Sequence, residues 1–145
     1  GKNHKFYQFP EYIKQNFDSM LSVKMSGDAD SLEIGKQLAI EGKYLEAEQI
    51  FVTRIEKDST NFNAKKMAGV VSLKAGNYDK AVAYFHSLGN QTGLYQNAGY
   101  FYEALTLLKT ALPINKNKAK ILLETVVNQH LEGKAEAEKI LKEWK

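Results

Sequence analysis

The sequence predicts an all-α fold, an antiparallel stack of about eight helices that form hairpins between an N-terminal and a C-terminal capping helix. The first observation is an internal repeat, in which Gly35 and Gly42 return at one common offset as Gly69 and Gly76. The second is that apolar residues fall three and four positions apart, as they do on one face of a helix. The third is that ten glycines and two prolines are too few for a β-sandwich punctuated by turns.

The composition is that of one globular domain, which we expect to cover residues 1–145. Hydrophobic residues make up 43% of the chain and charged residues 26%, which is typical of a folded protein. The absence of cysteine excludes a disulfide scaffold, an iron–sulfur cluster, a thiolate zinc site and a cysteine nucleophile. The longest apolar run, 81–85, is far shorter than the roughly 20 residues of a spanning helix, so the domain itself is not expected to cross a membrane.

The N-terminal cap is predicted as one helix over 9–25. Pro10 suits the first turn of a helix, because its missing N–H would have no partner there. Phe9, Ile13 and Phe17 begin an apolar stripe at helical spacing. We expect this helix to pack against the first hairpin.

Two regular units follow, over 28–61 and 62–95. The helices predicted within them are 31–41 and 44–57, then one that follows Asn61 and reaches Ala75, and one that follows Asn77 and runs to about Leu88. Gly42 and Gly76 supply the left-handed residue at which the first helix of each unit ends. Asn61 and Asn77 are predicted to cap the two helices that they precede.

Two further glycines lie inside predicted helices. Gly35 and Gly69 each cost about 1 kcal/mol relative to alanine in such a position. The expected compensation is a close approach of two helices, with Ala47 or Ala81 of the partner helix packed against the glycine backbone. Tyrosines at the same offset are expected to fill the gap between adjacent hairpins, namely Tyr44 and Tyr78.

A third, irregular unit is predicted over 96–129. Pro113 cannot continue a helix, so the first helix of this unit should stop near Ala111. The second helix is predicted over 117–129. A last helix follows Gly133 and covers the exposed end of the stack as a cap over 134–145, which an array of this kind requires.

The repeat resembles the tetratricopeptide repeat family, whose unit is a helical hairpin of the same period. The residues that carry the resemblance are Gly35, Gly42, Tyr44, Ala47 and Phe51, which return as Gly69, Gly76, Tyr78, Ala81 and Phe85. The chain departs from the family pattern at Ser31 and Lys65, where an aromatic residue is usual, and at Ser59 and Gly93, where a proline is usual. The resemblance implies a helical solenoid that acts as a scaffold for protein–protein interaction.

The resemblance also implies a location. Short, capped arrays of this type are similar to bacterial domains that are tethered to the inner membrane and face the periplasm. An anchor would then precede Gly1, and without such an anchor the expected location is the cytoplasm.

No catalytic or metal-binding pattern is present in the sequence. Phosphate loops, dinucleotide-binding glycines and a zinc-binding HExxH helix are all missing. His4, His86 and His130 are far apart, and His86 is expected to be a surface or half-buried residue. Glu46 and Glu48 are two residues apart on a helix and therefore point to different sides. We expect a protein that is not an enzyme and that has no cofactor and no metal.

The resemblance implies that the first helices of successive hairpins line a concave groove. The expected groove positions are Leu32, Lys36, Ala39, Ile40, Lys66, Val70, Leu73, Lys74, Tyr102, Thr106 and Lys109. Four of these are lysines and none is acidic, while Glu33 and Glu103 are expected at the rim. The predicted partner is another protein or an acidic peptide. A flanking line, in which Tyr95 leads to Tyr102 and Thr106, could face the same groove.

The last quarter of the chain supports an alternative. Residues 109–145 contain eight lysines and five glutamates. Nucleic acid is not the expected partner, but this segment could bind it, or another acidic surface, through its basic excess. Such binding would fall steeply with salt.

Overall fold

The computed structural model describes residues 29–110 and 112–144, together with Gln15 and Ser19, which are helical and exposed. Within this part of the chain there are α-helices and no strands, so the all-α prediction is confirmed for it. The helices are α1 (Ala29–Ile40), α2 (Tyr44–Lys57), α3 (Phe62–Lys74), α4 (Tyr78–Gly89), α5 (Gly99–Lys109), α6 (Pro113–Asn128) and α7 (Lys134–Lys142). The predicted capping helix over 9–25 otherwise lies outside the described residues.

Each described helix packs mainly against its neighbours in sequence, and α1 also touches α3. Short connections between α1 and α4 make successive helices antiparallel, which is consistent with an array of helical hairpins. A continuous apolar core runs through the array, from Leu32 in α1 to Ile140 in α7. The array therefore has two ends and two long faces on which side chains of separate hairpins come together.

The turns at Gly42 and Gly76 have the same backbone conformation and the same hydrogen bonds. Gly42 and Gly76 both have φ of 80°, the left-handed conformation that the sequence predicted. After each glycine, the amide of Lys43 or Asn77 donates to the carbonyl five residues back at 2.8 Å. These bonds satisfy carbonyls that the helix end would otherwise leave unpaired.

The two predicted asparagine caps differ. Asn61 caps α3, since its Oδ1 accepts a hydrogen bond from the Ala64 amide at 3.0 Å. Asn77 stands at the N-cap position of α4, but its side chain makes no capping hydrogen bond. The predicted side-chain cap is therefore correct for Asn61 and wrong for Asn77, whose backbone is already used by the preceding turn.

Close helix approach at the internal glycines is confirmed, and the group nearest to each glycine is a phenylalanine ring rather than the predicted alanine. A Cβ atom on Gly35 would lie 2.6 Å from Cε1 of Phe51, and one on Gly69 would lie 2.4 Å from Cε1 of Phe85. The nearest group is thus the phenylalanine ring of the partner helix, which lies against the glycine backbone. Both rings are fully buried, so each glycine opens a place for the largest apolar side chain of its hairpin.

The irregular region begins after α4. Residues 90–98 connect α4 to α5, and Tyr95 within this connection is 99% exposed, so it does not continue the line of Tyr102 and Thr106. The helix predicted to begin at Asn117 begins at Pro113, because proline needs no N–H partner in the first turn.

Candidate functional site

The structure divides the predicted groove residues by exposure. Buried positions are Leu32, Lys36, Ala39, Val70, Leu73, Tyr102 and Thr106. Lys66 is half-buried, and Ile40, Lys74 and Lys109 are exposed. The surface that this set offers to a partner is therefore concentrated at the C-terminal ends of α1, α3 and α5.

Lys36 is the clearest case of a predicted surface charge that is buried. Its side chain is 1% exposed, and its Nζ lies 3.1 Å from Oε1 of Glu33 one turn earlier. A buried ammonium needs such a partner, because removal of an unpaired charge from water is costly. Glu33 therefore neutralises a core lysine, and it is not simply a rim residue.

Lys74 and Lys109 are the last residues of α3 and α5, and Tyr78 is near both, in sequence to Lys74 and in space to Lys109. Lys74 is the last residue of α3, and Tyr78 follows four residues later, across the turn at Gly76. The Nζ of Lys109, the last residue of α5, lies 5.6 Å from the centroid of the Tyr78 ring. We name this surface the lysine edge and define it as Ile40, Lys74, Tyr78 and Lys109.

Ile40 extends the lysine edge to the first hairpin. It is 57% exposed and occupies the position in α1 that Lys74 occupies in α3, one repeat later. Tyr78 is half-buried against the core, as expected for a residue that fills the gap between hairpins. The edge thus combines an exposed aliphatic side chain, part of an aromatic ring and two exposed ammonium groups.

A polar link on the other set of helices joins the first two hairpins. Glu48 of α2 is buried and accepts hydrogen bonds from Tyr84 Oη at 2.7 Å and from Lys80 Nζ at 3.3 Å. Burial, and then the bond to Glu48, raises the pKa of the Tyr84 hydroxyl. Glu46 is exposed, so the two glutamates point to different sides as predicted. The hydrogen bonds to Glu48 thus connect α4 to α2 across the two hairpins.

A cleft of about 580 Å³ opens beside the irregular connection. Its walls are the end of α4, residues 90–98, the start of α5 and the C-terminal half of α6. Polar groups include His86, Asn90, Tyr100, Thr125 and Gln129. Among the described residues that line this cleft, none is lysine, arginine, aspartate or glutamate.

His86 is held at one side of the cleft by Glu103. The Nδ1 atom of His86 lies 2.8 Å from Oε1 of Glu103, and the His86 ring also packs against Tyr100 with centroids 6.0 Å apart. Burial raises the pKa of the Glu103 carboxyl, while the bond to His86 opposes that shift. Glu103 is therefore a buried residue and not the rim residue that was predicted, whereas His86 is exposed as expected.

Side-chain amides hold the connection in place. Asn97 donates to the carbonyls of Leu88 and Gln91 at 2.7 and 3.1 Å, and its Oδ1 accepts from the Gly99 amide at 2.9 Å. Gln91 in turn donates to the Thr60 carbonyl at 2.8 Å and accepts from the buried Lys65 at 3.0 Å. The repeat pattern gave no sign of this network, because Gln91 stands where the preceding unit has Lys57, and the identity of Asn97 with Asn63 at the repeat offset does not by itself indicate these bonds.

The basic last quarter is partly neutralised within itself. Lys134 and Lys139 form ion pairs with Glu138 and Glu136, with N–O distances of 3.6 and 3.7 Å. Lys116 places its Nζ 5.5 Å from the centroid of the Trp144 indole. The excess of positive charge in this segment is therefore spread over α6 and α7 and is not gathered into one track.

Two searches of the described residues gave negative results. No group of three histidine, aspartate or glutamate side chains in this part of the chain is arranged to hold a metal ion. Nor is any helix within it long and apolar enough to cross a bilayer.

Comparison of the chain with protein-family models, curated proteins and solved structures found no match. The proposals below therefore depend on the geometry and on the internal repeat.

Proposed function

We propose that this chain is a non-catalytic interaction module of the tetratricopeptide type, with capping helices at both ends, and that it binds an acidic protein segment along the lysine edge. The repeated contact of Gly35 with Phe51 and of Gly69 with Phe85 supports the first part, because it explains why the same residues recur at one offset. Repeat architecture alone does not specify a ligand. The second part therefore depends on the surface chemistry.

The observation that carries the proposal is the placement of Lys74 and Lys109 around Tyr78. Both lysines are exposed and stand at the ends of rigid helices, so their charges add at one place without reorganisation of the backbone. Isolated exposed charge pairs contribute about 0–1 kcal/mol each, so the two lysines provide orientation and association rate more than affinity. Ile40 and the Tyr78 ring supply apolar contact next to them.

The partner that fits this surface is an extended acidic segment with interspersed apolar residues. Carboxylates would contact Lys74 and Lys109, while an aliphatic or aromatic side chain would cover Ile40 or Tyr78. The half-buried Lys66, two turns earlier in α3, offers one more charge toward the centre of the array. The predicted groove residues that are buried would act indirectly, by holding these helices in position.

The test uses a labelled synthetic peptide of alternating glutamate and leucine and measures its binding by fluorescence anisotropy. The edge variant carries Lys74→Glu and Lys109→Glu, and we expect it to lose at least tenfold in affinity, about 1.4 kcal/mol. The control carries Lys120→Glu and Lys142→Glu, the same charge change at two lysines of α6 and α7 outside the edge. It should bind as the unaltered chain does.

Two other outcomes overturn the proposal. If the control variant loses the peptide and the edge variant keeps it, the basic last quarter is the binding surface, and an acidic partner of that segment becomes the better function. If neither variant loses affinity, the lysines are not the recognition element. A nucleic-acid oligomer run alongside distinguishes the alternative, since its binding would fall steeply with salt.

The proposed location follows from the same resemblance and not from the geometry. We expect the native protein in the membrane fraction of a bacterium, with this domain facing the periplasm and released only by detergent or proteolysis. Recovery in the cytoplasmic fraction would contradict this part of the proposal and leave the binding surface unaffected.

A further inference from the structure

The cleft beside residues 90–98 is a built feature with no counterpart in the regular hairpins. The connection between α2 and α3 takes up residues 58–61, whereas residues 90–98 connect α4 and α5. The longer connection is held by Asn97 and Gln91 through hydrogen bonds to the main chain of three separate segments. A segment bonded in this way keeps one shape, and preorganisation of that kind favours ligand binding.

The lining of the cleft excludes several classes of ligand. None of its described residues carries a formal charge apart from His86 when protonated, although charged residues make up 26% of the chain. A cation would find no opposite charge, and a phosphate or a carboxylate would find one only in a protonated His86. A wholly apolar ligand would bury the amide and hydroxyl groups of the wall without hydrogen bonds, which is costly.

The polar groups of the wall include several that the fold does not use up. The Asn90 Oδ1 accepts from the Tyr100 hydroxyl, which leaves the amide donors of Asn90 and an acceptor position on Tyr100. Thr92 and Gln129 are exposed at the wall. When Glu103 is ionised, Nδ1–H of His86 donates to it and Nε2 remains an acceptor. These neutral wall groups both donate and accept hydrogen bonds, so they are complementary to the hydroxyl groups of a ligand, which also do both.

We propose that this cleft binds a short neutral saccharide. Its volume of about 580 Å³ lies within the usual range of small-ligand pockets, roughly 300–1,000 Å³. Leu94, Leu122 and Leu131, with the Tyr100 ring, supply apolar surface for the C–H faces of a sugar ring. Tyr95, next to Leu94 in the chain, is almost entirely exposed but is not one of the residues that line the cleft.

A peptide main chain is the competing ligand, and the geometry favours it less. Extended peptides are recognised by an exposed strand edge or by a long groove with separate pockets. The described residues contain no strand, and the cleft is an open depression bounded by helix ends and a connection rather than a long groove. The inference is independent of the lysine edge, since no residue is shared between the two surfaces.

The experiment titrates the isotopically labelled chain with neutral trisaccharides of glucose, galactose, mannose and N-acetylglucosamine, and with a neutral polar pentapeptide. Amide shifts are followed by NMR up to about 10 mM, which nearly saturates a site with a Kd of about 1 mM. We expect at least one saccharide to shift the amides of Asn90, Tyr100 and Gln129. Gln129→Ala and Thr92→Val should each weaken its binding several-fold.

The matched control is Asn128→Ala, at an exposed position next to Gln129 that does not line the cleft. It should leave saccharide binding unchanged, and so should the edge variant of Lys74 and Lys109. The proposal is wrong if no saccharide shifts the cleft amides, if only the pentapeptide does, or if both cleft variants bind as the unaltered chain does. Because the edge variant keeps this site, failure here and failure of the peptide-binding proposal are separate results.

Discussion

The region from α1 to α4 and the region after it are held together by different chemistry. In the first, a glycine in one helix receives a phenylalanine ring from the next, and the contact recurs in the following unit. In the second, the connection over 90–98 is held by side-chain amides on main-chain carbonyls, with no repeat. The regular region thus repeats one close contact, whereas the irregular region adds individually placed hydrogen bonds to close contacts of its own, such as those of Gly89 with Tyr100 and of Gly133 with Phe101.

The most damaging change should be in the regular region. Gly69→Leu forces a side chain into the Phe85 ring, and overpacking of this kind costs about 1–3 kcal/mol, occasionally more. Urea or thermal unfolding followed by circular dichroism measures the loss. Ser87→Leu, at an exposed position of α4, is the control and should melt close to the unaltered chain.

A double variant identifies the partner of that glycine. Phe85→Ala alone should cost about 3–5 kcal/mol, because it empties a fully buried site. With Gly69→Leu added, the combined cost should be clearly smaller than the sum, since the new leucine enters the space that the ring leaves. Strict additivity would show that the ring is not what the glycine accommodates.

The corresponding change in the irregular region is Asn97→Ala. It removes three hydrogen bonds and leaves the carbonyls of Leu88 and Gln91 and the amide of Gly99 without this partner. A half-buried group left without its hydrogen bond costs about 1–3 kcal/mol. Gln96→Ala, one residue earlier and exposed, is the control. Equal melting of the two variants would mean that the amide network does not hold the connection.

The smallest expected effect concerns Glu103 and pH. Burial raises the pKa of its carboxyl above the ordinary value of 4.5, so the folded chain holds this proton more tightly than the unfolded chain does. The stabilisation that the Glu103 carboxyl contributes is fully present below its ordinary pKa. It is lost as the pH rises through the higher pKa that the carboxyl has in the folded chain. Relative to Glu103→Gln, which does not titrate, the melting temperature of the unaltered chain should fall as the pH rises above about 4.5.

The opposite slope would have a specific meaning. If the melting temperature of the unaltered chain rises relative to that of Glu103→Gln as the pH rises, the hydrogen bond and charge interaction with His86 outweigh the cost of burial. His86→Ala then serves as the second variant, because it removes that interaction and should turn the gain into a decline.

The sequence predicted the regular region well for a physical reason. Gly42 and Gly69 each encode a local requirement, a left-handed turn and a close contact, and a repeat displays such requirements twice. The sequence-based predictions that are wrong have a different cause. The sequence predicts Pro113 before the second helix of the third unit, whereas Pro113 is the first residue of α6. The prediction is wrong because a proline that ends one helix and a proline that begins the next look alike in sequence.

The candidate site was less accessible from the sequence. The repeat pattern assigns Lys36 and Lys74 to one groove, yet Lys36 is buried beside Glu33 and Lys74 is exposed. Exposure depends on what packs against each position, which a repeat does not record. The cleft was missed entirely, because Asn97 and Gln91 act through main-chain atoms distant in sequence.

The glycine–phenylalanine contacts also bear on how quickly the chain reaches its native state. Each joins two helices of one hairpin, whereas the bond from Tyr84 to Glu48 spans 36 residues and links two hairpins. Proteins dominated by such short-range contacts lose little loop entropy before their interactions form, and they fold within microseconds to milliseconds. Each hairpin can therefore nucleate on its own ring, and the buried Glu48 becomes satisfied only when two finished hairpins dock.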